Sequence, residues 1–169
     1  DPWNSYFCSR FAWKNEGADV FRAVNQLRHK ATATQLEAPQ YLEIDDGETS
    51  ATLLTGGLPF HRRIGLRMLD SLLIVRGETR QQFELGIGID LPHPLQEAVG
   101  LLSPETTIFN AQGDLPSEET AWLFHLSARN VMATSWEPWL EGGQIVGFQV
   151  RLLEVSGRRA KLKLSSFRP

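Results

Sequence analysis

Residues 82–89 read QFELGIGI, and an apolar side chain occupies every second position. This period of two places Phe83, Leu85, Ile87 and Ile89 on one face of an extended strand. The same spacing recurs along the chain, in the sets Phe7, Phe11 and Trp13; Trp122, Phe124 and Leu126; Val146, Phe148, Val150 and Leu152; and Ala160, Leu162 and Leu164. The pattern therefore predicts half-buried strands along most of the chain.

Short turn motifs that contain glycine separate these strands. They are Asp46-Gly47, Gly56-Gly57, Arg76-Gly77, Gly113-Asp114, Gly142-Gly143 and Ser156-Gly157. Strands divided in this way indicate an antiparallel β-sandwich or barrel. Weak helical spacing occurs in two short stretches, Val20 to Leu27 and Leu95 to Leu102 after Pro94, each of which could equally be irregular, so we expect at most one or two short helices.

The composition is that of one soluble globular domain. The chain has 169 residues, of which 41% are hydrophobic and 22% charged, and no linker or low-complexity segment divides it. We therefore predict a single domain over residues 1–169, and its ends at Asp1 and Pro169 suggest a fragment of a longer chain. No apolar run is long enough to span a membrane. The net charge of -3, with dispersed basic residues, argues against nucleic-acid binding.

Motifs for catalysis or metal binding are not found in the sequence. Metal sites are usually announced by H-x-H, H-E-x-x-H or C-x-x-C, and nucleophilic serines by G-x-S-x-G. None of these occurs here. The one cysteine, Cys8, lies in an apolar strand and is expected to be a buried, unreactive thiol. We predict no catalytic residue and no metal site.

Two polar segments are candidates for ligand binding. Asp90 and His93 lie on a loop stiffened by two prolines and could contact a sugar, but the favoured interpretation is a capped turn in which Asp90 accepts backbone hydrogen bonds. His61, Arg62 and Arg63 follow Phe60 and could meet hydroxyl groups, a carboxylate or an acidic neighbouring domain. The alternative for this segment is a solvated basic loop.

Two tryptophans form the third candidate. Trp136 and Trp139 bracket Glu137 and Pro138, and exposed indoles suit the apolar face of a pyranose. The alternative is that both rings are buried in the core or in an interface between domains.

Several segments resemble a known family. Residues 147–159, GFQVRLLEVSGRR, resemble a strand-turn-strand element of the C-terminal β-domains of the family 38 α-mannosidases, except that Leu153 stands where an aromatic is common. Residues 127–138, SARNVMATSWEP, are similar to the stretch before that element in bacterial members. Residues 6–13 and 54–63 also resemble segments of bacterial mannosidase-like chains.

The resemblance implies both a fold and a role. In that family the nucleophilic aspartate and the zinc ligands lie in an N-terminal α/β domain, and no part of this chain matches that domain. The resemblance therefore implies a galactose mutarotase-like supersandwich without a cofactor of its own, whose partner is the zinc-dependent catalytic domain of the same chain. A basic loop of this region reaches the substrate in some members, which makes Arg62, Arg63 and Arg67 candidates.

Three functional hypotheses follow. The first is a non-catalytic domain that supports a glycoside hydrolase. The second is an autonomous carbohydrate-binding module that uses Trp136, Trp139 or His93. The third is an epimerase-like enzyme, which would need a histidine and a carboxylate converging on a concave face.

Overall fold

The computed structural model describes residues 1–103, 122 and 124–166 of the chain. These residues contain antiparallel strands and one helix, which confirms the all-β prediction. The elements are β1 Tyr6–Ala12, β2 Asp19–Val24, β3 Leu27–Lys30, β4 Gln35–Glu37, β5 Tyr41–Asp45, β6 Ser50–Leu54, β7 Phe60–Arg63, β8 Met68–Val75, β9 Gly86–Ile89, α1 Pro94–Leu102, β10 Phe124–Leu126, β11 Val131–Glu141, β12 Gln144–Glu154 and β13 Leu164–Ser166.

The chain forms two compact units, Asp1–Pro104 and Glu105–Pro169. Whether the two units together make up one domain over residues 1–169, as the sequence predicts, stays a prediction. Within the described ranges, no helix is long and apolar enough to cross a membrane.

The first unit is a β-sandwich. One sheet has the strand order β1-β8-β7-β4 and the other has the order β3-β2-β5-β6-β9. The core lies between them, with Val20, Leu42 and Leu53 from the five-stranded sheet and Leu36 and Leu69 from the four-stranded sheet. Burial of these alternating side chains is what holds the two sheets together.

The first of the two helical stretches is a hairpin. Val24 pairs with Leu27 across a two-residue turn of Asn25 and Gln26, whose φ angles are 51° and 67°. Two consecutive positive φ angles are typical of the turn that matches the twist of paired strands. Val20 to Leu27 is therefore two strands and a tight turn and not a helix, which agrees with the expectation of at most one or two short helices.

The second helical stretch is a helix as expected. Helix α1 begins at Pro94, where the fixed φ of proline suits the first turn. Leu95 and Ala98 are its buried residues, and it packs against β5 and β6.

Residues 82–89 form a strand only in their second half. Strand β9 begins at Gly86, and Ile87 pairs with the core residue Leu53, which places the isoleucines on the core-facing side of the sheet. Nevertheless Ile87 and Ile89 are each 63% exposed. Strand β9 is the edge strand of the five-stranded sheet, and the sheet that faces it has only four strands. The burial expected of Ile87 and Ile89 is therefore wrong.

A similar local irregularity affects the first strand. Phe11 and Trp13 pack against the core, whereas Phe7 is 74% exposed. The register between β1 and β8 shifts between Phe7 and Cys8. The extra residue is Leu73 on β8, so the alternation along β1 itself is unbroken, and the burial expected of Phe7 is wrong although this residue keeps the spacing of Phe11.

The glycine turns lie largely where the sequence places them. Positive φ angles occur at Gly47, Gly56, Gly57, Gly77, Gly142, Gly143 and Gly157. The Gly56 position shows why glycine is needed, since a Cβ there would lie 2.1 Å from the backbone oxygen of Glu84. The predicted turn at Gly113-Asp114 lies outside the described residues.

The second unit is built on a long antiparallel ribbon. Strands β11 and β12 have 11 residues each and are joined at Gly142 and Gly143, where φ is 57° and 82°. Strand β10 pairs with β13 in a separate short sheet. Regular strand structure in the predicted 160–164 segment begins only at Leu164, and Trp122 precedes β10.

Candidate functional site

One side of the β11-β12 ribbon is apolar from the Ala133–Leu152 pair to the Leu140–Ile145 pair. Cross-strand partners share a face of a sheet, so the register assigns each pair to one side. The pairs on this side, here called the apolar face, are Ala133 with Leu152, Trp136 with Val150, Pro138 with Phe148, and Leu140 with Ile145. Three residues of the predicted set, Phe148, Val150 and Leu152, lie on it.

The fourth residue of that set is displaced by a bulge. The register shifts between Trp139 and Leu140, where Val146 is the extra residue on β12. Ile145 consequently takes the place on the apolar face that the sequence pattern assigned to Val146.

An aromatic cluster closes one part of the apolar face. Phe124 stacks on Trp136 with a centroid distance of 4.4 Å and meets Phe148 edge to face at 5.3 Å. These three rings, with Pro138 and Ile145, line a groove of about 510 Å³. The lining consists of aromatic and aliphatic side chains, so the groove is suited to apolar side chains of a partner.

Much of the apolar face is open to solvent. Phe148 is 50% exposed, Leu140 is 56% exposed and Ile145 is 61% exposed. A contiguous exposed apolar surface usually marks a contact site for another molecule.

The opposite side of the ribbon has a different character. Its pairs, here called the polar face, are Ser135 with Arg151, Glu137 with Gln149, Trp139 with Gly147, and Glu141 with Gln144. The indole of Trp139 is 61% exposed among these polar groups. The two tryptophans predicted as one sugar platform are therefore separated, with Trp136 on the apolar face and Trp139 on the polar face.

His61 is a core residue. It is 0% exposed, and its Nε2–H faces the carbonyl oxygens of Leu58 at 2.9 Å and Ala38 at 3.2 Å. Because carbonyls only accept, Nε2 carries the proton and Nδ1 accepts from the Ser71 hydroxyl at 3.0 Å. Burial lowers the pKa of His61 to about 4, so the ring is neutral and bound to the fold rather than open to a ligand.

The three candidate arginines do not form one loop. Arg62 and Arg63 are consecutive residues of β7 and thus lie on opposite faces of the sheet. Arg62 Nη1 donates to the carbonyl of Trp3 at 3.3 Å, and Arg63 Nη1 donates to that of Ala31 at 3.4 Å. Arg67 lies beyond β7, and its Nε is 3.4 Å from the Glu16 carboxylate. The expected basic loop is wrong for Phe60–Arg63, which is a strand.

Asp90 and His93 serve the connection between β9 and α1. Asp90 has a φ of 51°, and its Oδ1 accepts from the backbone N–H of Ser50 at 2.7 Å. Asp90 therefore accepts a backbone hydrogen bond, as the turn alternative expected, but the bond joins the end of β9 to the start of β6 and does not close a turn within the loop. His93 is the residue before the helix, and its buried Nδ1 has no hydrogen-bond partner among the residues that the structure describes.

Metal ligands do not gather in the described part of the chain. Among residues 1–103, 122 and 124–166, no group of three or more His, Cys, Asp or Glu side chains could hold a metal ion. Cys8 is a half-buried free thiol, and burial, followed by the charge of Asp70, raises its pKa and keeps it protonated.

Comparison with protein-family models, curated proteins and solved structures finds no match. Sequence reasoning missed the grouping of Phe124, Pro138, Ile145 and Phe148 around Trp136. The available signal was the odd spacing of Trp136 and Trp139, which puts their side chains on opposite faces of a strand.

Proposed function

We propose that this chain is a non-catalytic β-domain of a larger glycoside hydrolase resembling the family 38 α-mannosidases. Its role in that protein is to support the catalytic domain of the same polypeptide. The observation that carries the proposal is the exposed apolar face of the β11-β12 ribbon.

The apolar face needs a partner for energetic reasons. A ribbon of two strands is marginally stable in water unless its apolar side packs on another element. Each square ångström of apolar surface removed from water contributes about 25 cal/mol, so covering several large side chains stabilises the ribbon and its partner together.

The chemistry of this face favours a protein partner over a sugar. Sugar recognition needs hydrogen-bonding groups for the hydroxyls, and the groove is lined by Phe124, Trp136, Pro138, Ile145 and Phe148. The apolar surface of a neighbouring domain leaves no polar group unpaired in such a groove.

The other candidate residues have structural roles in this proposal. His61 is hydrogen-bonded within the core of the first unit, and Asp90 joins the end of β9 to the first residue of β6. The arginines Arg62, Arg63 and Arg67 are not part of it, because they lie on different faces and are engaged with carbonyls or with Glu16. The galactose mutarotase-like arrangement and the zinc of the catalytic domain remain parts of the proposal that come from the resemblance.

The first test is to determine the coding sequence on either side of this chain. The coding sequence that surrounds this chain is expected to encode an α/β domain with an aspartate nucleophile and a His and Asp zinc site. A reading frame without such a domain would refute the proposal. The chain by itself is expected to release no nitrophenol from an aryl α-mannoside, and measurable turnover would equally refute it.

The docking role is tested in the full-length polypeptide. Phe148→Glu places a charge on the apolar face and is expected to lower the melting temperature of the catalytic domain and its mannosidase activity. Gln149→Glu adds the same charge at the adjacent residue on the polar face, and it should change neither. Equal behaviour of the two variants would contradict docking through the apolar face.

A further inference from the structure

We propose that the polar face of the ribbon carries a carbohydrate-binding site in which Trp139 stacks on a neutral pyranose ring. This inference goes beyond the supporting role, since it concerns the opposite side of the ribbon and a different class of ligand.

The indole of Trp139 is accessible to a flat ligand. It is 61% exposed, and the residue opposite it on β12 is Gly147, which has no side chain. A Cβ built on Gly147 meets no atom of the described part of the chain within 4 Å. The cross-strand position beside the ring is therefore open.

Hydrogen-bonding groups flank the indole along both strands. The pair Glu137 with Gln149 lies on one side of Trp139, and the pair Glu141 with Gln144 lies on the other. Successive residues on one face of a strand are roughly 7 Å apart, which is comparable to the width of a pyranose with its hydroxyls. All four polar side chains are exposed, so they are available to a ligand.

This combination matches the chemistry of a sugar. A pyranose presents an apolar C–H face that an aromatic ring covers and a rim of hydroxyls that donate to carboxylates and amides. The Glu137 carboxylate already accepts from the Ser135 hydroxyl at 2.9 Å, which orients it on this face. Glu137 and Glu141 flank the indole directly, whereas Arg151 lies one pair farther from it on this face. The charge nearest the ring is therefore negative and disfavours uronic acids and sulfated sugars, so a neutral oligosaccharide is the expected ligand.

Trp136 does not provide a comparable platform. Its ring is stacked on Phe124 at 4.4 Å, and its neighbours on the apolar face offer no hydrogen-bonding side chains. The proposal therefore assigns sugar stacking to Trp139 alone.

Calorimetric titration of the intact chain with mannohexaose, cellohexaose and hexagalacturonate tests the proposal. At least one neutral hexasaccharide is expected to bind, and hexagalacturonate is not. Trp139→Ala should weaken binding at least tenfold. Leu140→Ala, which truncates an exposed residue on the opposite face of the same strand, should leave the Kd unchanged.

A second variant separates ligand stacking from folding. Gly147→Val adds a β-branched side chain beside the indole at a position with free space and without a positive φ. It should retain the fold by circular dichroism and weaken binding at least tenfold. No binding of either neutral hexasaccharide, tighter binding of the uronate, or unchanged affinity in Trp139→Ala and Gly147→Val would each overturn the inference. None of these results bears on docking through the apolar face.

Discussion

Trp136 and Trp139 lie on opposite faces of the same strand, because they are three positions apart and side chains alternate between the faces. Trp136 stacks on Phe124, whereas Trp139 is 61% exposed opposite Gly147. One strand thereby presents an apolar contact surface on one side and an isolated indole among polar groups on the other. The two proposed functions of the ribbon are separable by single substitutions for this reason.

Removing the two indoles should affect stability unequally. Trp136→Ala loses the stacking with Phe124 and is expected to lower the unfolding free energy of the second unit by about 1–2 kcal/mol. Trp139→Ala is the matched control and should cost less than about 0.5 kcal/mol, as is usual for an exposed site. Urea unfolding followed by near-ultraviolet circular dichroism measures both, and equal losses would contradict the assignment of faces.

Acid should destabilise the first unit through His61. The folded pKa of about 4 lies below the ordinary value of 6.5, so the unfolded chain binds a proton that the fold excludes. The stability is fully present above pH 6.5 and is lost as the pH falls toward 4, by an amount on the order of 3 kcal/mol.

Urea unfolding at pH 7, 6, 5 and 4 measures this loss. His29→Gln, at an exposed histidine, is the control and should retain the same pH dependence. A stability that stays constant from pH 6.5 to 4 would show that His61 is not held neutral in the core.

Alanine substitutions at the strand residues Gly88 and Gly147 should have opposite effects on stability. A Cβ on Gly88 would lie 2.3 Å from Leu91 Cδ1 and 2.5 Å from its Cγ, so Gly88→Ala must displace that side chain. The expected cost is about 1–3 kcal/mol, as for other overpacked sites. Gly147→Ala meets free space and should be neutral or slightly stabilising, because glycine loses more backbone entropy on folding. Thermal unfolding of the two variants distinguishes these outcomes.

Replacing Arg10 and replacing Asp70 in their ion pair should lower the unfolding free energy by different amounts. Asp70 is 1% exposed and Arg10 is 51% exposed, and the guanidinium contacts both carboxylate oxygens at 2.6 and 2.9 Å. Asp70→Asn should lower the unfolding free energy by about 1–3 kcal/mol. Arg10→Met should lower it further, because it leaves a buried carboxylate without its cation.

The pH dependence gives an independent check on this pair. Hydrogen bonding from Arg10 lowers the pKa of Asp70, so its contribution is present above the ordinary value of 3.8 and is lost as the pH falls below it. The difference between wild type and Asp70→Asn should therefore shrink at pH 3 in urea unfolding. Lys30→Met breaks the exposed pair with Asp19 and serves as the control with a small effect. A larger effect of Lys30→Met than of Asp70→Asn would contradict the role of burial.

Local chemistry made parts of this protein predictable from its sequence. The period of two marked the β class and the apolar face of β12, and glycines marked turns such as Gly142 and Gly143. Pro94 marked the start of α1. These signals are reliable because each depends on residues within a few positions of one another: glycine and proline restrict or free their own backbone, and apolar alternation compares near neighbours.

The tertiary structure decided what each surface can do. Burial of His61 depends on Ser71, Leu58 and Ala38, which come together only when the sheets pack. The exposure of Ile87 follows from its place at the edge of a sheet, and the displacement of Val146 follows from a bulge. Strand register, sheet edges and long-range contacts depend on how the whole chain packs. Alternating hydrophobicity therefore determines which side chains share a face of a strand, but not which element covers that face.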